Sequence, residues 1–315
     1  MPIRSFQQLL YEASWLGPKK IAIAAAAEAH LIDAARQAQD VGMAHCLLVG
    51  KEADVRRVAD EHDIDIGDMT LLDIADPEQA AYQVMAMARR GEVDVVMKGT
   101  LATVAFMRAA LDREHGLRTG KLFTHVAVFE IPSFGRLLLI TDGGVVVAPD
   151  LYQKIEIVQN GIDVAHKLGI EMPRVAVLAA SEFVNPKIPT TIDAANLSKM
   201  AERGQIRGGI VDGPLALDNA ISAASAQAKG INSPIGGEAD ILVVPDVEAG
   251  NLLAKAITYF GGGDMAGVVV GGCAPIVVTS RSDSPTTKLI SIALSILLVG
   301  GGCSPMRVGA VEDEV

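Results

Sequence analysis

Short apolar runs alternate with longer stretches of helical period along almost the whole chain, and this alternation restricts the fold more than any other feature of the sequence. Apolar runs bounded by turn residues are how strands buried on both faces read, and the amphipathic segments between them supply covering helices. The expected class is therefore α/β, with parallel-type sheets flanked by helices. In the first half the pattern predicts strands at residues 21–25, 45–49, 93–97 and 123–129, with helices near 30–40, 54–61, 77–90 and 103–111. A hairpin follows, because Ile131-Pro-Ser-Phe-Gly135 sets turn residues between the apolar runs 126–130 and 137–140. Asp142-Gly-Gly144 then breaks the pattern.

A second series opens with a helix over residues 149–168, where Pro149 suits a first turn whose N–H groups have no partner in any case. Strands are predicted at 174–179, 209–212, 241–245, 267–271 and 276–279, helices near 192–203, 215–227 and 249–259, and a last helix from Pro285. A chain of 315 residues suits two domains of roughly 150 residues each. The residues left after the second series cannot build a domain alone. The expected division is therefore 1–140 with 289–315, and 141–288.

Composition narrows the function classes. Half of the residues are hydrophobic and 21% are charged, enough for a large aliphatic core under a solvated surface. The 27 Lys and Arg against 38 Asp and Glu leave a net charge of −11, with no basic patch, which argues against a nucleic-acid partner. Cys46, Cys273 and Cys303 are far apart and odd in number, neither a disulfide framework nor a metal pair, and this reads as a cytoplasmic protein. The six histidines show no metal-ligand spacing, so no metal is expected. No apolar segment reaches the ~18 residues of a membrane span; the longest, 289–299, is closed by Gly300, Gly301 and Gly302 and reads as a buried helix. Residues Arg4 to Gln8 carry no early apolar run, so the start of the chain lacks a secretory pattern.

The densest chemistry lies in Thr279-Ser-Arg-Ser-Asp-Ser-Pro-Thr-Thr-Lys288, between an apolar strand and an apolar helix. Ser284 before Pro285 is a cap followed by a first-turn residue, so the N–H groups of Thr286, Thr287 and Lys288 are expected to face the loop. A helix start of this kind attracts anions, and the guanidinium of Arg281 grips two phosphate oxygens at once. The same residues also make a hydroxyl-rich cap beside a surface arginine, so the loop alone leaves both readings open. Further back, Asp240-Ile-Leu-Val-Val-Pro245 runs as a buried strand into Asp246-Val-Glu-Ala-Gly-Asn251, and ligands of open α/β sheets gather at such strand ends. Asn251 and Lys255 lie four apart and share a helix face, addressing one ligand or simply facing solvent.

Taken in order, Gly213-Pro-Leu-Ala-Leu-Asp-Asn219, Lys229-Gly-Ile-Asn-Ser-Pro234, Ala239-Asp-Ile-Leu-Val-Val-Pro-Asp246, Glu248-Ala-Gly-Asn-Leu252 with Lys255, and Thr279-Ser-Arg281 resemble the phosphate acetyltransferase and phosphate butyryltransferase family. The resemblance covers most of the chain and is densest from Thr141 to Ala293. It implies two α/β lobes with an active cleft between them, an architecture like that of isocitrate and isopropylmalate dehydrogenases. It also implies acyl transfer between coenzyme A and inorganic phosphate, coenzyme A as a substrate with no tightly bound cofactor, and a homodimer. In the acetyl branch the Ser-Arg pair is followed by Gly-Cys-Ser and, seven residues after the serine, by an aspartate that takes the thiol proton. Here that position is Thr287 and the text is Ser-Arg-Ser-Asp-Ser, more similar to the butyryl branch. Asp283 is the carboxylate left nearby.

The roles implied are Ser280 orienting sulfur or phosphate, Arg281 stabilising charge on the carbonyl oxygen and the phosphate, and Asp283 assisting deprotonation of the thiol. Weaker binding candidates come from strand ends and runs. Lys98 and Gly99 follow the strand at 93–97. His125 lies inside an apolar run and is equally a hydrogen-bonded core histidine. Asn185, with Lys187, follows the strand at 174–179, and Asp142-Gly-Gly144 either lines a cleft or serves as a hinge. No Gly-x4-Gly-Lys-Ser/Thr loop occurs, and Gly261-Gly-Gly-Asp-Met-Ala-Gly267 leads into a strand, so neither nucleotide fingerprint is present. Two alternatives remain: a dehydrogenase of the isopropylmalate type, and a non-catalytic protein that binds a small anion.

Overall fold

The computed structural model describes residues 1–280 and 282–300. The first half contains α1 (Phe6–Trp15), β1 (Lys19–Ala24), α2 (Ala29–Asp40), β2 (Ala44–Gly50), α3 (Glu52–Glu61), β3 (Thr70–Asp73) and α4 (Pro77–Arg89). It continues through β4 (Val95–Lys98), α5 (Thr103–Ala110) and the hairpin of β5 (Thr124–Glu130) and β6 (Leu137–Thr141). Then come α6 (Leu151–Lys167), β7 (Arg174–Leu178), α7 (Pro189–Glu202), β8 (Ile210–Leu215), α8 (Leu217–Ile221) and α9 (Ala223–Ala228). The last elements are β9 (Ile241–Val243), α10 (Val247–Tyr259), β10 (Asp264–Val270), β11 (Ile276–Val277) and α11 (Pro285–Leu298).

Local chemistry accounts for these boundaries. Asp76 caps α4 by accepting the Glu78 N–H, Pro77 takes the first turn, and Ala80, Ala81, Val84, Met85 and Ala88 recur at helical spacing as its buried face. A reciprocal capping box between Asp150 and Gln153 starts α6. In β1 the run Ile21–Ala24 is buried at every position, as a strand covered on both faces must be.

The strands of the described residues form one sheet, in the order β3-β2-β1-β4-β11-β10-β5-β6-β9-β7-β8. The expectation of parallel-type sheets is corrected to a mixed sheet. β10 runs antiparallel to both β11 and β5, and β5 is antiparallel to β6, while the strands on either side pair in parallel. Apolar periodicity carries no direction, so an antiparallel strand inserted between parallel ones reads like any other. β10 and β11, late in the chain, lie between β4 and β5, and α11 packs against α1, α2 and β10.

Other departures have simple causes. α1 was not predicted; Ser5 caps it and only Phe6, Leu9 and Ala13 are buried, a stripe too thin to stand out. β3 was missed because, as an edge strand, it is exposed or half-buried throughout. The helix predicted at 215–227 is two short helices, broken at Ser222, whose hydroxyl accepts the Ser225 N–H and caps the second. Cys46 is free and buried, whereas Cys273 is disulfide-bonded, a pairing that sequence spacing cannot exclude. Among the described residues no helix is long and apolar enough to cross a membrane.

Candidate active site

A cavity of about 570 Å3 stands over one face of the sheet where β11, β10 and β5 lie side by side. Register sets His125 opposite Val269, and Val269 opposite Ile276. The two-residue alternation of strands then turns His125, Met265, Val269 and Val278 toward that face, and all four line the cavity. Its walls are Thr103 and Met107 of α5, the turn after β6, one face of α10, and the loop from Thr279 to Ser284 with Thr287 of α11.

The turn after β6 is organised by Asp142, which is 2% exposed. Its carboxylate accepts the backbone N–H groups of His125 at 2.9 Å, Gly144 and Val145 at 2.8 Å each, and Val146 at 3.3 Å. Bonds to a charged acceptor are the strong kind, so Asp142 fixes both the turn and the start of β5. Gly143 is needed because the chain of α10 presses on it: a Cβ there would lie 2.9 Å from the carbonyl carbon of Gly250. The His125 ring is held between two glycines. A Cβ on Gly144 would lie 3.0 Å from its Cγ, and one on Gly267 would lie 2.9 Å from its Nε2. Its Nδ1 is buried without a hydrogen-bond partner among the described residues. Burial pushes the imidazole below its ordinary value of 6.5, with Asp142 opposing, so the ring is neutral at neutral pH.

Asp246 starts α10 by accepting the Ala249 N–H at 2.8 Å, which aims the first turns of the helix along the cavity. Asn251 and Lys255 share a face as predicted, and both line the cavity. The Lys255 ammonium stands 5.9 Å from the centre of the Tyr259 ring, within cation–π range, and so brings a positive charge to this wall.

The loop between β11 and α11 is a tight turn. The Ser280 N–H donates to Asp283 Oδ2 at 2.7 Å, the Asp283 N–H donates back to the Ser280 carbonyl at 3.2 Å, and the Ser280 and Ser282 hydroxyls are 3.0 Å apart. The expectation of free N–H groups at the start of α11 is corrected. Ser284 Oγ accepts the Thr287 N–H at 3.1 Å and the Ser284 carbonyl accepts the Lys288 N–H at 3.1 Å. A well-formed cap consumes the donors that the sequence left unassigned, and Thr286 keeps the N–H without a partner among the described residues. Arg281 lies outside the described residues.

The structure thus brings Ser280, Asp283, Thr287, Asn251, Lys255 and His125 to one cavity, from β5, α10 and the β11–α11 junction. It does not bring Lys98, Gly99, Thr286 or Asn185 to its lining. Lys98 is buried at the end of β4 with its ammonium on the carbonyls of Gly99 and Leu101 at 3.0 and 3.3 Å. Gly99 serves packing, since a Cβ there would run into the Ala25 carbonyl. Asn185 shapes the entry to α7: its Oδ1 accepts the Lys187 N–H at 3.0 Å and its own N–H donates to Thr191 Oγ1 at 2.9 Å. Asp142-Gly-Gly144, read from the sequence as cleft lining or hinge, is the turn after β6, with Gly143 and Gly144 on the cavity wall. The side chain of Lys288 escaped the sequence, with no signal beyond being a lone charge at the head of an apolar helix.

Residues 76–296 match the family model described as phosphate acetyl/butaryl transferase. A phosphate butyryltransferase of Clostridium acetobutylicum is 43% identical over 298 residues, covering 95% of this chain and 99% of that protein. A phosphate acetyltransferase of Thermotoga maritima is 43% identical over 290 residues, 92% of this chain and 98% of that protein. The crystal structure of a branched-chain phosphotransacylase from Enterococcus faecalis superposes with a TM-score of 0.79 at 30% identity, covering 89% of this chain and 99% of that one. Fold and relatives together define an α/β enzyme of the transferase class. The chain belongs to the phosphate acetyl/butyryl transferase family. The dehydrogenase alternative is not favoured.

Proposed function

We propose that this chain moves a short acyl group between coenzyme A and inorganic phosphate: acyl-CoA plus phosphate gives acyl phosphate plus coenzyme A. The observation that carries the reading is the gathering of Ser280, Asp283, Thr287, Asn251, Lys255 and His125 into one cleft, from segments far apart in a chain of this family. The cavity combines hydroxyls and an ammonium, suited to phosphate, with the apolar side chains of Met107, Val145, Met265, Val269 and Val278, suited to an acyl chain. The Ser-Arg-Ser-Asp-Ser text favours butyryl over acetyl.

In the forward direction a phosphate oxygen attacks the acyl carbon, the carbon–sulfur bond breaks and the thiolate of coenzyme A leaves. In reverse the thiol first loses its proton, because the thiolate is the nucleophile. Asp283 takes that proton directly or through a water: one oxygen holds the Ser280 N–H, and the other has no partner among the described residues. Ser280 orients sulfur or phosphate, and Arg281 and Lys255 balance the charge that builds on the phosphate and the carbonyl oxygen. His125, kept neutral by burial, contributes as a hydrogen-bonding group, not as a cation. No enzyme nucleophile is needed, since bringing the two substrates together in one cleft supplies the rate through positioning.

The reading extends to a cytoplasmic protein, and to a homodimer supported by Leu252, Tyr259 and Phe260, apolar side chains exposed along and just beyond α10. The test of the activity is thiol release from acetyl-, propionyl- and butyryl-CoA with and without inorganic phosphate. Phosphate-dependent release supports the transferase, and the rank of kcat/KM names the acyl group. Tight binding of phosphate or acyl-CoA with no release from any of the three would instead favour a protein that binds a small anion without turning it over.

A further inference from the structure

A buried cation lies directly behind the β11–α11 loop. Lys288 leaves the first turn of α11 and is 1% exposed, so it touches no substrate. Its ammonium reaches back beneath the loop, donating to the Asp283 carbonyl at 2.7 Å and to the Ser280 carbonyl at 3.3 Å. The nearest carboxylate is Glu28, whose Oε2 is 3.7 Å away. Glu28 is itself fixed, because its Oε1 accepts the His30 N–H and so caps α2. On the far side, His30 Nδ1 stands 3.3 Å from the same Asp283 carbonyl.

An ammonium out of water is costly unless its donors are met, and here two of the groups that meet them are the carbonyls at either end of the turn. These are the carbonyls of Ser280 and Asp283, the residues whose N–H groups close that turn from the cleft side. The loop is therefore held from both faces: in front by its own crossed hydrogen bonds, behind by a cation anchored to α2. Apart from His30, no group outside the loop and α11 bonds to it among the described residues, and Ser280 and Ser282 are exposed.

We propose that Lys288, seated on Glu28, is a positioning residue that fixes the Ser280–Asp283 turn in the shape that receives phosphate. The inference rests on the acyltransferase reading for its kinetic consequence, but the clamp itself is readable without turnover. Without the ammonium the two carbonyls lose their shared donor, and the turn opens while the helix behind it remains packed.

The experiment compares wild type with Lys288→Met, Lys288→Arg and Glu28→Gln. In hydrogen exchange of the unliganded protein, Lys288→Met is expected to speed exchange of peptides carrying the Ser280 and Asp283 amides at least about tenfold, while Ile290–Ile296 exchanges as before. Kinetically, kcat/KM for phosphate should fall about thirtyfold or more, with KM for acyl-CoA moving less than about threefold. Lys288→Arg keeps a cationic donor and is expected to lie between wild type and Lys288→Met; Glu28→Gln keeps the ammonium and should lie closer to wild type. Were Lys288→Met not to fold, Glu28→Gln would still have to speed exchange of the same two amides. Wild-type exchange at both amides overturns the proposal, as does faster exchange spread evenly over α11. A wild type that releases no thiol with phosphate refutes the acyltransferase reading instead, and leaves the exchange result to decide the clamp.

Discussion

Gly143 and Gly250 meet backbone to backbone: a Cβ on Gly250 would lie 2.6 Å from the Cα of Gly143. The contact joins the turn after β6 to the first turns of α10, two stretches more than a hundred residues apart, and it sets the distance between the wall that carries Asn251 and Lys255 and the floor that carries His125.

Gly250→Ala is expected to push α10 off that turn. Overpacking of this kind costs about 1–3 kcal/mol, read as a lower denaturation midpoint, and kcat/KM should fall with it because Asn251 and Lys255 move away from the floor. An alanine variant with unchanged midpoint and turnover would show that the helix has room to shift.

Asp142→Asn removes the charge from an acceptor of four backbone N–H groups and turns an amide N–H₂ toward at least one of them. The expected loss is about 2 kcal/mol or more in urea unfolding, the cost of leaving a buried donor unmet. Full stability in the variant would mean that the turn is held by the Gly143–Gly250 contact alone.

His125 gives a stability signature with pH. Its folded-state value is depressed below the ordinary 6.5 by burial, so the unfolded chain binds the proton more readily. The contribution is complete above pH 6.5 and is lost as pH falls below it. Wild type should therefore lose more stability between neutral and mildly acidic pH than His125→Gln, which cannot charge. Parallel stability curves for the two proteins would show that the imidazole is already solvated in the cleft.

In the acyl-transfer reading, Arg281→Ala should cost at least about 2 kcal/mol in kcat/KM, by loss of a group that stabilises developing charge. Asp283→Asn should cost less and should move the pH profile of the thiol-consuming direction. Because the Asp283 carboxylate also holds the Ser280 N–H, a loss of rate with an unmoved profile would assign it to shaping the loop and place the base elsewhere.

Phe260 is 93% exposed at the end of α10, next to Tyr259. If this surface is the dimer contact, Phe260→Asp should yield monomers by light scattering at concentrations where wild type is dimeric. An unchanged mass would exclude this surface.

Much of this was written locally. Alternating apolar runs specified α/β, the cap at Ser284 with Pro285 located the start of α11, and the four-residue spacing of Asn251 and Lys255 put them on one face; each of these depends on neighbours within a few turns of chain. Ordered motifs, from Gly213 to Arg281, carry the family in the sequence alone. What the sequence could not contain was pairing at a distance. Strand direction and order were decided by tertiary packing, which inserted β10 and β11 between β4 and β5 and made the sheet mixed. The same packing placed His125 on the cleft floor between Gly144 and Gly267 and set the Lys288 ammonium beside Glu28 of a distant segment. Periodicity reports which residues avoid water, and a cap or a shared face follows from local geometry; which buried group meets which other depends on how far-apart segments close on one another, and that is settled only when the whole chain has folded.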